Sequence, residues 1–492
     1  MTGSGEYDLV LAGGRVIDPE TGTDAIADVG IKGGVIAAVS REPLAGVTRL
    51  GVSGNVVCPG FIDLHSHAQS VADHRLQALN GVTTVLELEA GAYPVELAYR
   101  QAAAEGRPIN YGFSASWAIV RMAVLAGIQE QGSVRTFLDH AADPKWQRIA
   151  SAREISSIVG ILEGELAVGG VGIGVLVGYA PESGTDEYLA VAAAAASAAV
   201  PTFTHARDLA EVNPRTLVDG AAEVVRAAAE TGAHMHYCHV ASIYPRHAER
   251  VQGLIAKVQA EGSRVTTEAY PYGTGMTGIG ASYLAPERLA ERGLTPRSIR
   301  YLPTGKVVSD ETELRELRRR DPGAFCFVEA LRDDVAEEFA IVEDVLARPG
   351  TIIATDAIPL QWPGVPHDEA AWPLSPGAVA HPRTAGTYAR TLRLVRERNL
   401  MSLSEAIARS TLLPARVLED STPAMRRKGR LQEGCDADIV VFDPDAVTDE
   451  ATYIETTRPA SGFRHVLVGG DFVVRDGEIV IDAMSGRPVR AG

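Results

Sequence analysis

The chain has 492 residues, 46% hydrophobic and 22% charged, enough for one large globular domain and a smaller one. A formal charge of −17 argues against a nucleic-acid partner and against an anionic membrane surface. Four scattered cysteines, Cys58, Cys238, Cys326 and Cys435, exclude a disulfide framework and a Cys-x-x-Cys zinc ribbon.

Residues 1–6 carry neither a basic nor an apolar leader pattern, so a reduced, cytoplasmic protein is expected. Next come short strands: residues 7–11 and 15–18 flank Ala12-Gly13-Gly14, and residues 27–32 turn at Gly33-Gly34 into residues 35–39. Glycine turns between alternating runs describe hairpins of a small β unit. Then Pro59-Gly60-Phe61-Ile62-Asp63-Leu64-His65-Ser66-His67 delivers two histidines one residue apart from an apolar run. On a strand, positions i and i+2 share a face, so His65 and His67 project together, suited to one divalent metal.

Further strands are expected at residues 83–88, 172–177, 201–204, 234–238, 264–268 and 351–354, with helical patterns such as 221–231 and 246–261 between them. The Ala-rich run at 191–200 is too short to cross a bilayer and reads as a packed helix. Repeated strand–helix units over roughly 350 residues imply the α/β class, as a TIM-like (β/α)8 barrel. No Gly-x-Gly-x-x-Gly follows the first strand, which disfavours a doubly wound sheet. Residues 274–347 read as an insertion, within which 309–321 is a helix with an acidic start and a basic end. The strands at 437–442, 465–468 and 471–474 repeat the opening texture. Neither end has enough strands alone, so both are expected to complete one composite β-sandwich. The expected division is therefore residues 1–58, the N-terminal portion of the sandwich; 59–424, the barrel with its insertion; and 425–492, the C-terminal portion of the sandwich.

Catalytic groups of such a barrel sit at the C-terminal ends of its strands. Beyond His65 and His67, the strand around Leu86-Glu87-Leu88-Glu89 offers two carboxylates on one face. Either could bridge two cations, and Glu89 lies nearer the strand end. His205 and His239 follow two later strands, whereas His234 and His236 share a face and suit structural roles. Asp356, after an apolar strand, reads as a metal-bound general base in preference to a turn cap. Remaining polar candidates for substrate binding are Tyr179, Arg207, Tyr270 and Arg383. Arg383 suits either a carboxylate clamp or an ion pair behind the site, and Arg207 either substrate contact or support of a ligand.

The order His-x-His, carboxylate, His, His, Asp resembles the amidohydrolase superfamily across nearly the whole chain, together with the close Gly434-Cys435-Asp436-Ala437-Asp438. Within it the chain is most similar to the N-acyl-D-amino-acid deacylases, through Gly81-Val82-Thr83-Thr84-Val85, Thr204-His205-Ala206-Arg207-Asp208, Tyr270-Pro271-Tyr272, His381-Pro382-Arg383 and Gly386-Thr387-Tyr388. The resemblance implies hydrolysis of a linear amide by metal-activated hydroxide, with one or two divalent cations, zinc being expected. His65, His67 and Asp356 would surround one, and His205 and His239 another. Asp356 would take the water's proton and pass it to the leaving nitrogen.

Departures qualify the substrate. The branch's metal-binding Cys is Ala90 here, so Glu89, or else Glu87, supplies an anionic ligand. Hard oxygen in place of sulfur favours a two-metal site less biased to zinc. A carboxylate-binding Lys is Ala241, and a Gly-His pair reads Ser116-Trp117. The expected partner is a small N-acyl molecule, most simply an N-acyl-D-amino acid; homo-oligomerisation is left open. The alternatives are a cyclic-amide hydrolase of the dihydropyrimidinase or hydantoinase kind, which would need a carboxylated lysine, and a non-catalytic scaffold, which would have lost ligands.

Overall fold

Eight short strands pair side by side in the computed structural model, which describes residues 6–242 and 244–492. They are β1 (Phe61–Asp63), β2 (Val82–Ala92), β3 (Asn110–Ser116), β4 (Ile173–Val175), β5 (Thr202–Thr204), β6 (Met235–Tyr237), β7 (Val265–Ala269) and β8 (Thr351–Ile353). The eight follow chain order in one sheet, each neighbouring pair parallel. The sheet nearly closes where Ser66 bridges Ala357, with His67 N donating to Ala357 O at 2.8 Å. Parallel strands covered on both faces read as apolar runs, and this made most of them legible. The pattern did not single out β3, whose Asn-Tyr-Gly-Phe-Ser-Ala-Ser contains no β-branched residue and takes its place from β2 and β4.

Helices fill the connections. The Ala-rich run is helical up to Ser197, in the helix Thr185–Ser197, and the pattern at 221–231 forms the helix Gly220–Thr231. Asp219 caps the latter by accepting from Ala222 N, and Gly232 ends it at φ 72°, a conformation natural to glycine. Its buried face presents Ala221, Val224, Val225, Ala227 and Ala228. Among the described residues no helix is long and apolar enough to cross a membrane.

Between β7 and β8 stands a four-stranded antiparallel sheet of Thr274–Gly278, Phe325–Glu329, Ile299–Tyr301 and Lys306–Val307. The expected charged helix spans Glu311–Arg320 beside it, N-capped by Asp310.

Strands from both chain ends join in one nine-stranded sheet. The seam is Val56–Pro59 running antiparallel to Ile439–Phe442, with Val56 opposite Phe442 and Pro59 opposite Ile439. Leu11, Val29, Val57, Ile439, Val441 and Leu467 form its buried core. Lys428 fastens this sheet to the barrel: its Nζ donates to Asp438 at 2.6 Å and Asp436 at 3.0 Å, and Asp438 also accepts from Asn110 of β3 at 2.9 Å. Burial alone would lower the basicity of Lys428, but Asp438 and Asp436 outweigh it and hold the ammonium above its ordinary value.

Candidate metal centre

β1 ends at Asp63, two residues short of the first histidine. The Asp63 carboxylate accepts from His65 N at 3.1 Å and Thr355 N at 3.0 Å, so the chain leaves the sheet before His65 and His67. The two imidazoles still converge, their Nε2 atoms 3.3 Å apart. Each distal nitrogen meets a carboxylate: His65 Nδ1 meets Glu268, and His67 Nδ1 meets Glu87 Oε1 at 2.9 Å. A carboxylate on Nδ1 fixes the tautomer and leaves the Nε2 lone pair facing inward, the usual preparation of a metal-ligating histidine.

Glu87 and Glu89 both project into the barrel from β2, but only Glu89 reaches all four histidines. Its Oε2 lies 3.2 Å from His65 Nε2 and 3.6 Å from His67 Nε2. Its Oε1 lies 2.7 Å from His239 Nε2 and 3.0 Å from His205 Nδ1, nitrogens themselves 3.1 Å apart. One oxygen thus faces each imidazole pair. His205 follows β5, and His239 and Asp356 follow β6 and β8. His239 (φ 34°) and Asp356 (φ 49°) occupy the left-handed region, uncommon for such residues and typical of strained functional positions.

Asp356 Oδ1 sits 3.5 Å from His65 Nε2 and 3.6 Å from His67 Nε2. Fully buried Arg383 grips it twice, Nη2 lying 2.9 Å from Oδ1 and Nε donating to the backbone oxygen at 2.6 Å. The guanidinium also lies over the Tyr270 ring, 4.6 Å from its centroid.

Charge is concentrated here. Burial opposes protonation of His65, yet Glu89, Glu268 and Asp356 together hold its basicity well above the ordinary value. Burial likewise opposes protonation of His67, but Glu87 and Glu89 raise it to about 9. Burial would raise Glu89, but His65, His239 and His205 pull it well below the usual range. For His205 burial prevails over Glu89 and lowers it. Donor atoms gather within 4.8 Å of one another in His65/His67/Glu89, His65/His239/Asp356 and Glu89/His205/His239, with a further His65/Cys238/Glu268 group alongside. Imidazole lone pairs converging on carboxylate oxygens repel one another unless a cation or protons intervene, and this donor set fits one or two divalent cations.

The centre opens into a cavity of about 300 Å³ whose far walls belong to the inserted segment, including Met276, Thr277, Tyr283, Arg292 and Phe325. Tyr179 and Tyr270 line it. The Tyr179 ring packs 4.6 Å from His205, and its hydroxyl lies 2.8 Å from Thr277 Oγ1. Arg207 lies behind the wall, fully buried, donating to Glu223 Oε2 at 2.7 Å and Ser183 O at 2.8 Å. His234 and His236 share Thr266 Oγ1 at 3.0 and 2.8 Å, and His236 continues to Glu268 at 3.0 Å. Two participants escaped sequence reasoning. Glu268 had a signal, a lone carboxylate on an inward face of β7. Arg292 had none; it comes from the insertion, bonded to Asp208 at 2.6 Å and lying over Tyr283 and Tyr244.

The amidohydrolase family model matches residues 56–473. A D-aminoacylase of Alcaligenes xylosoxydans xylosoxydans is 29% identical over 485 residues, covering 94% of each chain. An N-acyl-D-glutamate deacylase of the same organism is 28% identical, covering 94% of this chain and 93% of its own. Among solved structures, an N-acyl-D-glutamate deacylase from Bordetella bronchiseptica, complexed with zinc and a phosphonate mimic of the tetrahedral intermediate, superposes with a TM-score of 0.76 at 25% identity. That match covers 99% of this chain and 100% of the other.

Proposed function

The chain belongs to the amidohydrolase family, and from that premise we propose that it is a metal-dependent deacylase of an N-acyl-D-amino acid or a related N-acylated small molecule. The observation that carries this reading is Glu89, with one carboxylate oxygen toward each imidazole pair and Asp356 alongside. His65, His67 and Asp356 would hold one cation and His205 and His239 a second, with Glu89 between them. Bound there, divalent cations, zinc by analogy with the phosphonate-complexed relative, would acidify water and polarise the amide carbonyl.

The protein's own residues do the rest. The Asp356 carboxylate accepts the proton of the attacking water and returns it to the leaving nitrogen, so that the amine departs neutral. Arg383 aims that carboxylate and so acts on the substrate through Asp356. Glu87 and Glu268 orient His67 and His65. Tyr179 and Tyr270 contact the substrate from the cavity wall, and Arg207 braces the segment around Ser183. The inserted sheet excludes bulk water from the scissile bond. Val175-Leu176-Val177 at the end of β4 offers no lysine for carboxylation, which weighs against ring-opening of cyclic amides.

The test is a panel of N-acetyl-D-amino acids and hydantoins with zinc-loaded protein. Release of free amine is expected; ring opening without deacylation would overturn the assignment.

A further inference from the structure

We propose that the acyl group of the substrate is large, uncharged and apolar, and occupies a second cavity that meets the first at His67. The inference rests on the deacylase reading and extends it to substrate class.

The second cavity, of about 620 Å³, shares His67, Val134 and Phe325 with the first as common walls. His67 is thus common to both cavities, and the acyl group of a carbonyl held at the metal centre would pass beside it. Leu302, Leu360, Trp362 and His367 also line the second cavity. Trp362 and His367 stack face to face, centroids 4.2 Å apart and planes within 6°. The polar edge of the indole is already satisfied, Nε1 donating to Ser375 O at 3.0 Å. Gln361 also lines the cavity, its amide nitrogen donating to Pro359 O at 3.2 Å and Leu360 O at 3.0 Å. On this side a ligand meets ring and aliphatic surface, while Gln69, Ser70, Ser133 and the charged groups make up the rest of the lining.

Charge decides which end of the substrate goes where. Asp73, Asp321 and Glu369 line the second cavity against Arg135, itself paired with Asp139 at 3.0 Å. A carboxylate would be repelled there. Away from the metal ligands, the first cavity carries Arg246 and Arg292 against Glu291, with Arg292 also bonded to Asp208 at 2.6 Å. The amino-acid carboxylate thus belongs in the first cavity and the neutral acyl chain in the second. Each methylene buried against the stacked pair is worth roughly three- to fourfold in kcat/KM.

The experiment compares acetyl, butanoyl, hexanoyl and phenylacetyl derivatives of one D-amino acid, with free hexanoate binding followed by calorimetry. From acetyl to hexanoyl, kcat/KM is expected to rise at least about 30-fold. Trp362→Ala and His367→Ala should each lower the hexanoyl-to-acetyl ratio and weaken hexanoate binding, whereas Trp362→Phe should preserve both. Trp362 belongs to a packed cluster with Leu76 and Ala385, so exposed His367 carries the test if the Trp362→Ala protein does not fold. A flat or falling acyl series, or preference for a positively charged aminoacyl group, would overturn the inference while leaving the deacylase intact. No amine release at any acyl length would overturn the deacylase reading itself.

Discussion

Replacing Arg383 by lysine separates two roles that the arginine could have. Its guanidinium spans two oxygens of one residue, Asp356 O at 2.6 Å and Asp356 Oδ1 at 2.9 Å, and covers the face of Tyr270. A lysine ammonium keeps the charge but cannot fork across both oxygens or stack flat on the ring. Losing one charge-assisted hydrogen bond costs about 1.5–3 kcal/mol, and the ring contact about 1 kcal/mol more. Some of this reappears as lower stability, and the rest leaves the Asp356 carboxylate free to turn. Misplacement of a reacting group by about 1 Å costs about 100-fold in rate. The expected result for Arg383→Lys is therefore kcat down about 100-fold with KM within about threefold, since Arg383 lies behind the cavity wall. Steady-state kinetics on the best N-acyl substrate measures this, with metal content and melting temperature as controls for folding. A KM increase of more than about tenfold at unchanged kcat would refute the argument, because it would mean that Arg383 binds the substrate carboxylate directly.

Asp356→Asn should keep most of its metal by elemental analysis while turnover falls by about 1000-fold; retained activity would rule out proton transfer through this carboxylate. Glu89→Gln should lower metal content from two equivalents toward one after dialysis, whereas Glu87→Gln should only weaken metal affinity by about 10- to 100-fold. The reverse ranking would transfer the bridging role to Glu87. Glu20 is drawn down to about 2, chiefly by its hydrogen bond to Arg430 against the effect of burial, with Gln432 and Arg416 assisting. A depressed carboxyl stabilises fully above its ordinary value of 4.5 and loses that contribution as pH falls toward 2. Glu20→Gln should therefore cost about 1 kcal/mol near neutrality, allowing for partial exposure, with the gap closing across that acid window in denaturant melts.

The four histidines and Asp356 were legible because a barrel confines its reactive groups to the ends of short apolar strands, and each of the five follows such a strand or its extension. The choice between Glu87 and Glu89 was not, because alternation puts both on one face and only the distance across the barrel separates them. Structure assigns Glu87 to His67 Nδ1 and Glu89 to the middle. The same limit hid Glu268: side-chain direction was readable from β7, but its contact with His65 depends on how strands 1 and 7 stand across the interior. Arg292 and the Trp362–His367 pair lie in irregular segments, where no periodicity exists to read and packing alone sets the address. The composite sheet was legible from texture at both ends, although not the register that joins Val56 to Phe442.

That register has a kinetic consequence. Val56–Pro59 and Ile439–Phe442 are separated by most of the chain, so bringing them together from the unfolded state costs about 5 kcal/mol of loop-closure entropy before any ladder forms. With the barrel already assembled, its first strand follows directly on Val56–Pro59, and the two segments are held near each other at little further cost. The seam should therefore form late in folding, with its hydrogen bonds acting mainly on the rate of unfolding. Substitutions at Val57 or Val441 should shorten the lifetime of the native protein more than they slow its formation.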